Sequence, residues 1–133
     1  MDFEYHLSVR GYELDSYNHV NNAVYLNYFE QARWDIMKKT GLLEKFQKEE
    51  LMMVVTDIHI RYSREACLFD NLMIKTNIKF SGPYVIFVHK MINTDSGIKI
   101  SSSEVKLIPI DKTRTPCSIP EYFETLIHKY QKS

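Results

Sequence analysis

Glycine and cysteine are scarce in this chain of 133 residues. The four glycines form no Walker or dinucleotide-binding pattern, which removes a glycine-cradled phosphate site. No Gly-x-Ser-x-Gly elbow is present, which removes an α/β-hydrolase triad. Cys67 and Cys117 are far apart, so free thiols are expected rather than a disulfide. The histidines, His6, His19, His59, His89 and His128, are scattered, so no metal site is expected. An excess of one charge is also missing, because 17 Lys plus Arg balance 17 Asp plus Glu. A neutral domain projects no strong field toward nucleic acid or an anionic membrane, and neither partner is expected. The longest apolar runs, such as Val85-Ile86-Phe87-Val88, are too short to cross a bilayer. The opening Met1-Asp2-Phe3-Glu4-Tyr5-His6 alternates and carries acids, unlike a signal peptide. The expected setting is the cytoplasm, without an anchor.

Aromatic residues, by contrast, are plentiful: seven Phe and nine Tyr. They suit a dense interior, or an interior plus an oligomer interface. The length fits one domain over residues 1–133. Residues 3–10 alternate, with Phe3, Tyr5, Leu7 and Val9 opposing Glu4, His6, Ser8 and Arg10, as in a strand with one buried face. From about Ala23 to Thr40, Tyr25, Phe29, Ala32 and Ile36 recur at helical spacing. Asn21 or Asn22 suits the N-cap, Lys38 and Lys39 suit the last turn, and Gly41 is a natural stop. A short amphipathic helix is expected over residues 42–49.

Four strands follow, over residues 54–62, 71–80, 84–92 and 98–110. In the first, Val54, Ile58, Ile60 and Tyr62 oppose Asp57, His59 and Arg61. The third is apolar on both faces, as a central strand would be. In the fourth the apolar phase slips between Ile100 and Val105, which predicts a bulge near Ser101-Ser102-Ser103. Gly82-Pro83 and Asp95-Ser96-Gly97 mark hairpin turns. Ser118 and Glu121 are spaced as a capping box for a terminal helix. This order predicts an α+β fold, an antiparallel sheet wrapped around one long helix.

Asp15, Asn18, His19, Asn21 and Asn22 gather before the long helix, with Glu30 further along it. The first helical turn offers N–H groups without intrahelical partners, and its dipole favours negative charge. An oxyanion forming on a substrate carbonyl would be held by both. Asp15 can present a carboxylate to that carbonyl or to a water beside it. Such a loop can equally do no more than cap the helix, and Glu30 can simply pair with Arg33 at i, i+3.

The run Asp15-Ser16-Tyr17-Asn18-His19-Val20-Asn21-Asn22-Ala23-Val24-Tyr25-Leu26-Asn27-Tyr28-Phe29-Glu30-Gln31-Ala32-Arg33 resembles the signature of the 4-hydroxybenzoyl-CoA thioesterase-like branch of the hotdog superfamily. The similarity extends through Arg61-Tyr62 and Phe69-Asp70 to Ile119-Pro120. The resemblance implies a hotdog fold, paired edge to edge into a homodimer and often assembled into a homotetramer, with active sites at the dimer interface. It implies hydrolysis of an acyl-CoA or acyl-ACP thioester, with Asp15 as nucleophile or general base. The backbone N–H of Asn22 or Ala23 would polarise the carbonyl. Asn18 and His19 would line the pocket entrance, and Tyr25 would help shape the acyl pocket. No cofactor is implied beyond the CoA or acyl-carrier protein of the substrate itself.

Two departures from the family pattern stand out. Tyr17 occupies the place of an Asn in the plant enzymes. The turn Phe80-Ser81-Gly82-Pro83-Tyr84 lacks the cation that holds CoA phosphates in the hydroxybenzoyl enzyme. Arg61, Arg64 or Lys90 would then anchor CoA, or the carrier would be acyl-carrier protein. A thioester carbonyl is already activated, so one carboxylate and an oxyanion hole can suffice. The alternative is a hotdog module that binds an acyl thioester or a protein partner without turnover. Asp15 argues against it, because pure binding has no use for a carboxylate facing an electron-rich carbonyl. A dehydratase would want a His and an acid placed on the acyl chain, and no such pair is assigned.

Overall fold

The structure is a computed structural model and describes residues 2–132. Its strands are β1 (Phe3–Ser8), β2 (Met52–Tyr62), β3 (Asn71–Ser81), β4 (Tyr84–Asn93) and β5 (Lys99–Ile110). Its helices are α1 (Asn22–Lys39), α2 (Leu42–Lys48) and α3 (Glu121–Lys132). The strands form one antiparallel sheet in the order β1-β3-β4-β5-β2, packed around α1 as in the hotdog fold. Tyr25, Tyr28, Phe29 and Ala32 of α1 pack with Leu72, Ile74, Met91 and Ile100. One turn further on, Ile36 and Met37 join Leu42, Phe46, Phe87, Val105 and Phe123 in a second cluster.

The expected elements are present, with shifted ends. The side chain of Asn21 accepts from the Ala23 N–H at 3.0 Å and caps α1. Gly41 takes φ 82, a left-handed conformation that lets the chain turn from α1 into α2. β4 is central, as its two-sided apolar pattern requires. Gly82-Pro83 forms a two-residue hairpin, with Gly82 at φ 58 in its first position. The first strand stops at Ser8, because Val9 leaves the ladder to bond the backbone of Phe69 and Asp70.

The bulge expected in β5 is present at Ile100, beside Ser101, where the ladder skips from Lys99 opposite Ile92 to Ser101 opposite Met91. Two expectations need correction. A second bulge, at Thr56 in β2, splits the expected apolar face. Val54 and Ile60 are half-buried, while Ile58 and Tyr62 are exposed. The Ser118 capping box also does not open α3. The helix starts at Glu121, and the Pro120 carbonyl accepts from the Phe123 N–H at 3.0 Å. Pro120 disfavours a helical conformation at Ile119, so the helix does not extend back to Ser118.

Candidate active site

The loop from β1 to α1 is anchored by a buried carboxylate. Glu13 Oε1 accepts from the Arg10 N–H at 2.8 Å and from the Tyr28 hydroxyl at 2.7 Å. Its Oε2 accepts from Arg10 Nη2 at 2.6 Å. Burial raises the Glu13 pKa, but the bonds from Arg10 and Tyr28 outweigh it and hold the group below its ordinary value. Burial and Glu13 together push the Tyr28 phenol well up. The Glu13 carbonyl accepts from the Asn21 N–H at 2.9 Å, which joins this anchor to the helix cap.

Asp15 is half-buried two residues later. Its Oδ1 accepts from the Tyr17 N–H at 2.8 Å and the His19 N–H at 3.3 Å, which closes an Asx-type turn. Asn18, at the tip, takes φ 64, which Asn tolerates better than most residues. The turn leaves Asp15 on the wall of a pocket of about 220 Å3 at the start of α1.

Asp15, His19, Asn22, Tyr25 and Arg64 all line this pocket. Tyr25 is buried, and its hydroxyl accepts from the Ala66 N–H at 3.0 Å. Burial raises its pKa. Tyr62 packs edge-on against it at 5.2 Å and donates to the Asn22 carbonyl at 2.9 Å. Among the described residues the Asn22 N–H has no acceptor, whereas that of Ala23 is engaged by Asn21. Asn18, Ala23 and Arg61 are exposed and stand outside the pocket lining. Glu30 accepts from Trp34 Nε1 at 3.1 Å; among the described residues it makes no close ion pair with Arg33, although its charge acts on that guanidinium.

Sequence reasoning missed the Glu13 anchor and a buried polar row under α1. Thr76, His89 and Ser103 stand side by side across β3, β4 and β5. Thr76 Oγ1 lies 2.7 Å from His89 Nδ1, and Arg33 Nη1 lies 3.3 Å from His89 Nε2. The pair His89-Lys90, which interrupts the apolar run of β4, was the available signal.

Residues 9–126 match the family model of the thioesterase-like superfamily. The chain belongs to this superfamily. It is 41% identical over 73 residues to the long-chain acyl-CoA thioesterase FadM of Escherichia coli, a match that covers 55% of each chain. The matched segment thus spans about half the length of FadM. The acyl-CoA thioesterase YbgC of Haemophilus influenzae is 23% identical over 96% of this chain and 97% of its own. The crystal structure of YbaW from Escherichia coli superposes with a TM-score of 0.85 at 29% identity, covering 95% of this chain and 96% of that one.

Proposed function

We propose that this superfamily member hydrolyses an acyl thioester, with CoA or acyl-carrier protein as the thiol. The observation that carries the reading is that one pocket at the start of α1 is lined by Asp15 and by Asn22, whose N–H has no acceptor among the described residues. The carbonyl oxygen accepts from the Asn22 N–H, where the dipole of α1 stabilises the oxyanion. Ala23, whose N–H serves the cap, has no such part. Asp15 either attacks the carbonyl carbon or takes a proton from a water that does. The C–S bond then breaks, and the leaving thiolate takes the proton that Asp15 removed from water or, where the carboxylate itself attacks, a proton from solvent. If the carboxylate attacks, water hydrolyses the resulting anhydride. Arg64, on the pocket rim, serves the carrier's phosphates. Asn18 and Arg61 lie outside the lining and would contact only the outer part of a carrier.

The working form in this reading is a homodimer or a homotetramer in the cytoplasm. β2 has eleven residues, pairs among the described residues only with β5, and exposes Met52, Val55, Ile58 and Tyr62. An edge of that length and character calls for cover, and a second copy supplies it. Hydrolysis of a panel of acyl-CoA esters, read by free-thiol release, tests the proposal. Release above the uncatalysed rate is expected for at least one ester. No release from any acyl-CoA or acyl-carrier-protein ester would leave the binding module in its place.

A further inference from the structure

A second cavity, of about 560 Å3, opens between α1, α2 and β2, and its polar groups take no part in the hydrolysis proposed above. That volume is typical of a small-molecule site. Its walls are mostly apolar, including Trp34, Met37, Phe46, Met53 and Leu107. Arg33 breaks the pattern. Among the described residues its guanidinium forms no ion pair and one hydrogen bond, from Nη1 to His89 Nε2. Most of its five N–H donors are therefore unused. The neighbouring acid, Glu30, is turned to the indole of Trp34.

The support beneath Arg33 is rigid. His89 is fully buried and stacked against Phe29 and Phe87, with ring centroids 5.1 and 6.1 Å away. Burial, and then the charge of Arg33, push its pKa down to about 3, so the ring is neutral. With its Nδ1–H donated to Thr76, Nε2 is left as the acceptor for Arg33. Arg33 is half-buried at the cavity wall, and the charge of Glu30 on the same wall offsets only part of its desolvation. A guanidinium with open donors at an apolar wall complements a chain that is apolar along its length and anionic at its end. Such a fork takes a carboxylate in bidentate fashion.

We propose that this cavity binds an aliphatic chain ending in a carboxylate, with Arg33 as the anion-binding group. The carboxylate belongs either to the far end of an acyl thioester substrate or to a free fatty acid. Only the first source rests on the hydrolase reading.

Trp34 is the sole tryptophan and lines the cavity, so its fluorescence reads occupancy without turnover. The protein is titrated with decanoate, decanol and decylamine. Decanoate is expected to bind at least about tenfold more tightly than the other two. Arg33→Met removes that preference and leaves decanol binding unchanged, while Arg33→Lys keeps part of it. Equal wild-type affinity for decanoate and decanol overturns the proposal, as does failure of all three to bind. A preference that survives in Arg33→Met also overturns it. Hydrolysis of the CoA monothioester of sebacate is then compared with that of decanoyl-CoA. An Arg33-dependent preference for the sebacate ester assigns the carboxylate to the substrate. Decanoate binding without that preference assigns the site to a free fatty acid. If neither ester is cleaved, the hydrolase reading loses support while the binding result stands.

Discussion

The Tyr28 hydroxyl donates to Glu13 Oε1 at 2.7 Å and ties the middle of α1 to the loop that carries Asp15. Removing this bond by Tyr28→Phe leaves a buried carboxylate short of a partner, at a cost of about 1–3 kcal/mol. Urea unfolding at neutral pH checks it. The folded pKa of Glu13 is depressed, so its stabilisation is full above the ordinary value near 4.5 and fades as pH falls below it. Glu13→Gln is therefore expected to be less stable than wild type at neutral pH, with the gap narrowing below pH 4.5.

His89 acts on a different pH range. Its folded pKa, about 3, lies below its ordinary 6.5, so the unfolded chain takes up a proton first as pH falls. Stability is thus fully present above 6.5 and declines as pH drops from 6.5 toward 3. The His89 ring resonances should not titrate in NMR spectra recorded down to pH 5. A midpoint near the ordinary histidine value would contradict the buried, neutral ring.

Asp15→Asn separates catalysis from capping. Asn offers the same Oδ1 acceptor to Tyr17 and His19, so the turn and the melting temperature should hold or rise. Turnover of a good acyl-CoA substrate should fall by about 10²–10⁴-fold, the usual cost of losing a general base. A kcat near that of wild type would remove Asp15 from the mechanism.

Ile58→Lys probes the uncovered edge. Ile58 is exposed on β2, and a charge there should weaken pairing with a second copy by about 2 kcal/mol or more if it lies centrally. Sedimentation should show an oligomer for wild type and a shift toward the 15.8 kDa chain for the variant. A wild type that sediments only as monomer would refute the assembly.

Phe69 takes φ 66, a conformation that costs a bulky residue about 1–2 kcal/mol, and its side chain is 75% exposed. Asn tolerates that region better. Phe69→Asn is expected to stabilise the fold by about 0.5–1 kcal/mol in thermal melts. A loss of stability would show that the exposed ring has a partner in solution.

Local chemistry wrote much of this protein into its sequence. Alternation marked the strands, 3.6-residue spacing marked α1, and Gly41 and Gly82-Pro83 marked turns, because each depends on neighbours in the chain. The motif from Asp15 to Arg33 pointed to the pocket for the same reason, since Asp15, His19, Asn22 and Tyr25 lie within three helical turns. Tertiary structure decided the rest. Whether Asn22 or Ala23 keeps a free N–H depends on where the Asn21 side chain turns. The positions of the bulges follow from which residues the neighbouring strands place opposite Ile100 and Thr56. Glu13 meets Tyr28, and Arg33 meets His89 above Thr76, only when the sheet closes on the helix. Such pairs join residues far apart in the chain, where no periodicity reaches. They are set by burial, which favours a partner within the fold for a polar group, although Ser103 Oγ in the same row has none among the described residues.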